Sequence, residues 1–233
     1  AKAAPRRTII SIEGLDKTGK THLALTAPEP IVYMDLDVGT EGVIEPVMTE
    51  KQVLLYQSEQ PSKLGPSSEL MSRFVDVWKD IQRPAAQALQ LESGTLVIDT
   101  FGEAYEICRL AHFGKLAQVQ PHEYAKCYSD LREILRLASK SKMNTILLHK
   151  LGKDFHTGVP EMKGWSDLPY QVQAVLRTKR EDTDNGPVFS AEVRSCRHKP
   201  NLMGKVLAQE MTTEPRGMPY MLDFGMLLDL IHG

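Results

Sequence analysis

The stretch "IEGLDKTGKT" at residues 12–21 constrains this chain more than any other. It sets Gly14-x-x-x-x-Gly19-Lys20-Thr21 directly after an apolar run, "TIISIE". A glycine-rich turn that leaves a buried strand and enters a helix points successive backbone N–H groups inward, which makes an anion cradle. Gly14, Leu15, Asp16, Lys17, Thr18, Gly19, Lys20, Thr21 and His22 are therefore expected to surround a phosphate chain. In that arrangement Lys20 reaches the β- and γ-phosphates and the Thr21 hydroxyl ligates a magnesium ion. The ligand implied is ATP with Mg2+.

What surrounds the motif sets the fold class. Further β-rich runs occur at 31–37 ("IVYMDLD"), 53–56, 95–100 ("TLVIDT") and 144–149 ("NTILLH"). They are mostly continuous in apolar residues rather than alternating, as strands covered on both faces are. Helical patterns lie between them: a short one after Lys20 ended by Pro28 and Pro30, one at 67–90 with Pro84 as a kink or break, and others at 102–118 and 122–141. Strands separated by helices predict an α/β fold with a mainly parallel, doubly wound sheet. After residue 149 the pattern changes. Residues 150–169 are rich in Gly and Pro, and then "YQVQAVLRTKR" and "VFSAEVRSCRH" flank the turn cluster "EDTDNGP", which predicts a C-terminal antiparallel β-hairpin extension. No internal repeat or long linker interrupts the chain, so one domain over 1–233 is expected: 1–7 flexible, 8–149 a nucleotide-binding core, and 150–233 a loop, the hairpin and a C-terminal helix.

Composition narrows the partners. With 233 residues, 42% hydrophobic and 25% charged, and a formal charge of −2, the chain has no global pull toward nucleic acid or membrane, so any nucleic-acid surface must be local. Cys108, Cys127 and Cys196 are odd in number and share no CxxC or Cys/His ligand spacing, so neither a disulfide framework nor a zinc site is expected. No apolar run approaches the roughly 18 residues of a membrane span, and the first residues lack the apolar core of a signal peptide. A reducing cytoplasm and no membrane partner are the expectation.

The remaining candidates are polar residues at strand ends. Asp99 closes "LVIDT" and is placed to hold the magnesium shell beside the phosphate loop, with Thr100 as a possible helper. Asp35 and Asp37 close "IVYMDLD" and share a face if the strand stays regular. A carboxylate there suits orienting or deprotonating an attacking water; Asp37 is preferred, with Asp35 and Glu41 as rivals and a turn-capping role open for either aspartate. His149, followed by Lys150, ends the strand after Asp99, where a polar group beside the γ-phosphate would sense ATP.

Taken in order, Gly14–Thr21, the strand ending in Asp35 and Asp37, "LVIDT" and the polar end at His149 resemble a RecA-type ATPase core. The compact "GKTHLALTAPEPIVYMDLD" and the later "GWSDLPYQVQAVLRTKRE" are similar to small phage-encoded RecA-core ATPases, including the Sak-type single-strand annealing recombinases. The likeness runs over roughly residues 8 to 200. It implies ATP hydrolysis driven by a carboxylate matched by Asp37, usually Glu in that family, and a γ-phosphate sensor matched by His149, often Gln there. It further implies single-stranded DNA as partner, a homo-oligomer in ring or filament form, a single-strand-binding protein as accessory, the cytoplasm of a phage host as the setting, and a DNA-facing loop at 150–169.

The loop's own chemistry is balanced: Lys150, Lys153 and Lys163 face Asp154, Glu161 and Asp167, while Phe155 and Trp165 either stack on bases or pack the loop down. Residues 177–205 hold seven basic and four acidic residues, a basic surplus suited to phosphate contact or to a solvated face. Arg197 and Lys199, on one face of the hairpin's second strand if it runs on, are candidates for a charge reaching the γ-phosphate of a neighbouring subunit. The opening motif also resembles thymidylate kinase and other nucleoside monophosphate kinases, but here prolines cut the first helix and an acidic strand follows at once. A nucleotide-binding module with little turnover is the third reading.

Overall fold

The apolar runs assemble into one sheet. A computed structural model describes residues 7–59, 67–115, 119–120, 122–153, 158, 160–162, 164–184, 186–208 and 223–232. Strands β1 (Ile9–Gly14), β2 (Ile31–Asp35), β3 (Val53–Gln57), β4 (Thr95–Asp99) and β5 (Asn144–Lys153) pair in parallel, in the order β3-β2-β4-β5-β1. Beyond β1 the sheet continues with β7 (Ala174–Thr183), parallel to β1, then β8 (Gly186–Cys196) and β9 (Val206–Ala208), both antiparallel to their neighbours. The short β6 (Pro160–Met162) folds back on the end of β5. This is the expected doubly wound α/β sheet with its C-terminal β-hairpin extension.

Helices cover both faces because the parallel strands are apolar on both. One core gathers α3 (Ser67–Ala88), α4 (Phe101–Phe113) and α5 (Ala125–Lys140) against Val32, Met34, Leu96, Ile98 and Leu147. The other gathers α1 (Lys20–Leu25), α2 (Ile44–Met48) and α6 (Phe224–His232) against Ile10, Ile12, Tyr33, Val97 and Leu148. Successive residues of each strand go to opposite cores, as the pleat requires.

Several boundaries differ from those expected, each for a local reason. α3 runs on through Pro84 instead of breaking. Proline at 84 has no N–H for the carbonyl of Asp80, four residues back, and the Tyr56 hydroxyl donates to that carbonyl at 2.8 Å instead. α4 begins at Phe101 because the Thr100 side chain accepts the Glu103 N–H at 3.1 Å and caps the helix. β2 stops at Asp35, leaving Asp37 beyond the strand. The segment 150–169 is not wholly irregular: β5 extends to Lys153 and β6 returns along it, while Asp154, Phe155 and Lys163 lie outside the described residues. The short α2 and β9 had no clear sequence signal. Among the described residues no helix is long and apolar enough to cross a membrane.

Candidate functional site

The carboxyl ends of β1, β4 and β5 converge where the first motif sits, the usual ligand crevice of such sheets. Backbone geometry shows why the motif needs its glycines. A Cβ on Gly14 would overlap the hydroxyls of Thr178 and Thr18, and Gly19 has φ 86°. Thr18 anchors the loop: its Oγ1 donates to the Leu15 carbonyl at 2.8 Å and lies 2.8 Å from the Thr178 hydroxyl on β7. Beside it, buried Glu13 pairs with Arg177 of β7 at 2.6 Å. The hairpin strand thus supports the phosphate loop from one side. Sequence reasoning missed Glu13, Arg177 and Thr178; the one available signal was an acid at the end of an otherwise apolar strand.

Leu15, Asp16 and Lys17 form the exposed crest of the loop, whereas His22 on α1 is half-buried, which lowers its pKa. Lys20 is folded over the loop, donating to the carbonyls of Gly14 at 3.1 Å and Leu15 at 2.7 Å. Burial pushes its pKa down, opposed mainly by Asp99. α1 has six residues only, so the loop backbone and Lys20 carry the cradle rather than a long helix.

Thr21 Oγ1 donates to Asp99 Oδ2 at 3.2 Å, and Tyr33, which is fully buried, donates a short hydrogen bond to the same oxygen. Burial raises the Asp99 carboxyl to about 6, with Asp37 and Asp35 adding to the rise and the Tyr33 bond opposing it. Burial, then Asp99, keep the Tyr33 phenol protonated. Two hard oxygen donors beside a phosphate cradle fit a magnesium ion, which takes few protein ligands and completes its shell with phosphate and water. The peptide between Asp99 and Thr100 is cis.

The three rival carboxylates are separated by their contacts. Asp35 is buried and accepts from Gly39 N at 3.2 Å, Thr40 Oγ1 at 2.6 Å and Gln57 Nε2 at 3.3 Å, so it holds the turn after β2. Glu41 is exposed in the next turn. Asp37 pairs with Lys150 Nζ at 2.5 Å and lines a cleft of about 670 Å3 with Val38, Gln57, Ser58, Glu59 and Glu103. Asp35 and Asp37 do not share a strand face as expected, because β2 ends at Asp35.

Two further expectations are redirected. His149 is fully buried, edge-on to Phe101 at 5.8 Å, so its ring belongs to the core; the next residue, Lys150, is the one that reaches the site. Its pKa is raised, first by the hydrogen bond to Asp37. Arg197 and Lys199 lie past the end of β8, where Ala174 pairs with Cys196 and Ile10 with Ala174. That is the end of the sheet away from the phosphate loop. Arg197 donates to the Tyr170 carbonyl, and Lys199 donates to the Leu230 carbonyl in the last turn of α6 at 3.1 Å. Their shared strand face does not exist, and both brace local structure.

Trp165 is 1% exposed, stacked on Tyr128 at 5.8 Å and covered by the Arg132 guanidinium at 5.4 Å, so it packs the loop down and is not offered to a base. Of the basic surplus in the hairpin, Arg177, Lys179, Arg180 and Arg194 are in ion pairs with Glu13, Glu192, Asp182 and Glu192.

With strand order, phosphate loop and the Thr21–Asp99 contact together, the fold is that of a RecA-like P-loop protein. The chain is similar in structure to the RadB recombinase, with a TM-score of 0.51 and 16% identity over 86% of each chain. It is likewise similar to the flagellar accessory protein FlaH from Methanocaldococcus jannaschii, with a TM-score of 0.51 and 13% identity over 88% of this chain and 86% of that one. No family model matches the sequence, and no curated protein matches it either.

Proposed function

We propose that this chain, as a single domain, is a Mg2+-dependent ATPase of RecA type that acts on single-stranded DNA in phage recombination or annealing. The observation that carries the ATPase reading is the meeting of Thr21 and Asp99 at 3.2 Å beside the Lys20 loop. Lys20 would hold the β- and γ-phosphates, Thr21 and Asp99 the magnesium ion, and Asp37 the attacking water. Bound ATP and magnesium supply the phosphoryl group and the charge neutralisation. The protein's own residues fix their position and exclude competing geometries. Lys150, by pairing with Asp37, holds that carboxylate in place; it takes over the place beside the γ-phosphate expected for His149.

The DNA-directed part rests on the resemblance of the sequence to annealing recombinases and on the structural likeness to a recombinase. Because most hairpin cations are paired internally, DNA contact would be salt-sensitive and would draw on exposed cations such as Lys205. Steady-state ATP hydrolysis measured with and without a single-stranded oligonucleotide, with thymidine monophosphate as alternative acceptor, tests the proposal. Hydrolysis stimulated by the oligonucleotide supports it; phosphate transfer to the monophosphate makes the chain a kinase; nucleotide binding without turnover leaves only a binding module.

A further inference from the structure

The spacing of the cysteines gave no reason to expect a metal, yet the fold assembles one potential ligand set far from the phosphate loop in sequence and role. We propose that Cys108, His112 and Asp130 form a zinc site that clamps α4 to α5. Cys108 and His112 are four residues apart on α4, hence on one helix face, and Asp130 faces them from α5. Cys108 Sγ, His112 Nε2 and the Asp130 carboxylate lie within 4.8 Å of one another, with His112 Nε2 at 2.9 Å and Cys108 Sγ at 4.0 Å from Asp130 Oδ2. Around a tetrahedral zinc ion, ligand atoms sit about 3.3–3.8 Å apart, so adjustments of about 1 Å close the site.

Three features favour metal over a plain His–Asp hydrogen bond. The sulfur, nitrogen and oxygen donors together are the mixed set that zinc takes in preference to magnesium. Thiolate, carboxylate and neutral imidazole cancel a divalent charge, so the partly buried site is neutral when filled. Trp78 Nε1 donates to Asp130 Oδ2 at 3.0 Å, which leaves that oxygen its second lone pair for the ion and supplies the outer hydrogen bond that orients a metal carboxylate. Cys108 is fully buried, whereas His112 and Asp130 keep 28% and 32% of their side chains exposed, so the ion has an entry path and a fourth position for water. Since α4 starts directly after Asp99 and Thr100, the clamp would stiffen the helix that leaves the magnesium carboxylate.

The test uses the full chain, stripped with chelator, kept reduced and titrated with Co2+ as the probe. One Co2+ per chain with a thiolate charge-transfer band, displaced by Zn2+, is expected; cobalt held at Thr21 and Asp99 would show no such band. His112→Gln, at a partly exposed side chain, should weaken the band-forming affinity at least about 10-fold, and Trp78→Phe about 10-fold. Cys108→Ser should abolish the band, and Zn2+ should raise the melting temperature of wild type but not of His112→Gln. If Cys108→Ser does not fold, His112→Gln carries the test alone. Absence of a thiolate band at one equivalent of Co2+, or a band unchanged in His112→Gln, would overturn the proposal.

Discussion

At Asp99 a single carboxyl meets two opposed demands. Magnesium needs it charged, while burial, with Asp37 and Asp35 near, favours its proton against the opposing Tyr33 hydrogen bond and raises it to about 6. In magnesium-free protein the folded state therefore holds this proton more tightly than the unfolded chain does. The stability so gained is complete below the ordinary carboxyl value of 3.8 and is lost as pH rises through about 6. Asp99→Asn, which keeps an acceptor for Tyr33, is expected to raise the melting temperature at pH 8 and to leave it near wild type at pH 4. Equal effects at both pH values would refute the buried charge. Asp37 is a different case, half-buried and paired with Lys150. Asp37→Asn should lower turnover about 100-fold or more while nucleotide affinity stays within about twofold, because a group that orients water acts in the transition state. Should Glu41→Gln show that pattern instead, the base has been assigned to the wrong residue.

Elements were legible where the pattern was local. Continuous apolar runs marked β1 to β5, and the turn cluster marked the hairpin, because burial on both faces and a tight turn leave traces in the sequence itself. Long-range contacts left none. Pro84 reads as a helix breaker until Tyr56 is seen to take up the Asp80 carbonyl. That bond is expected to matter only with proline present: Tyr56→Phe should cost about 1 kcal/mol in wild type and clearly less in a Pro84→Ala background, by denaturant melts of the four proteins. Trp165 illustrates the same limit, since aromatic residues in a loop read alike whether they await a base or pack inward. Its burial against Tyr128 and Arg132 decides for packing. Trp165→Ala should destabilise the chain by about 3–5 kcal/mol, with salt-dependent DNA affinity of the folded fraction unchanged. Arg197 and Lys199 failed as a strand face for a related reason: β8 ends at Cys196, before either residue, and nothing local announces it.

For the whole molecule, sheet polarity decides which surface can serve a neighbour. The far end of the hairpin projects from the phosphate-loop end, with Lys179 and Arg180 on β7 just beyond its pairing with β1, while Arg197 and Lys199 lie at the other end. If subunits share sites, a cation reaching the γ-phosphate of the next subunit comes from that end of the hairpin. Arg180→Ala and Lys20→Ala proteins, each inactive alone, should then regain part of the activity on mixing. The site core was readable because the Gly14–Thr21 spacing and Asp99 are local signatures. Of its supports, Glu13 precedes the motif on β1, Arg177 and Thr178 come from β7 and Tyr33 from β2, and their contacts became visible only when β1 was paired with β7 and β2 with β4. The central claim is that this end of the sheet holds and hydrolyses Mg-ATP through Lys20. The most direct measurement is the initial rate of phosphate release from ATP by wild-type and Lys20→Ala proteins, with magnesium and single-stranded DNA, alongside their melting temperatures. The account predicts magnesium-dependent release by wild type, a loss of about 100-fold or more in the variant, and melting temperatures that agree closely. Equal rates in the two proteins would contradict it.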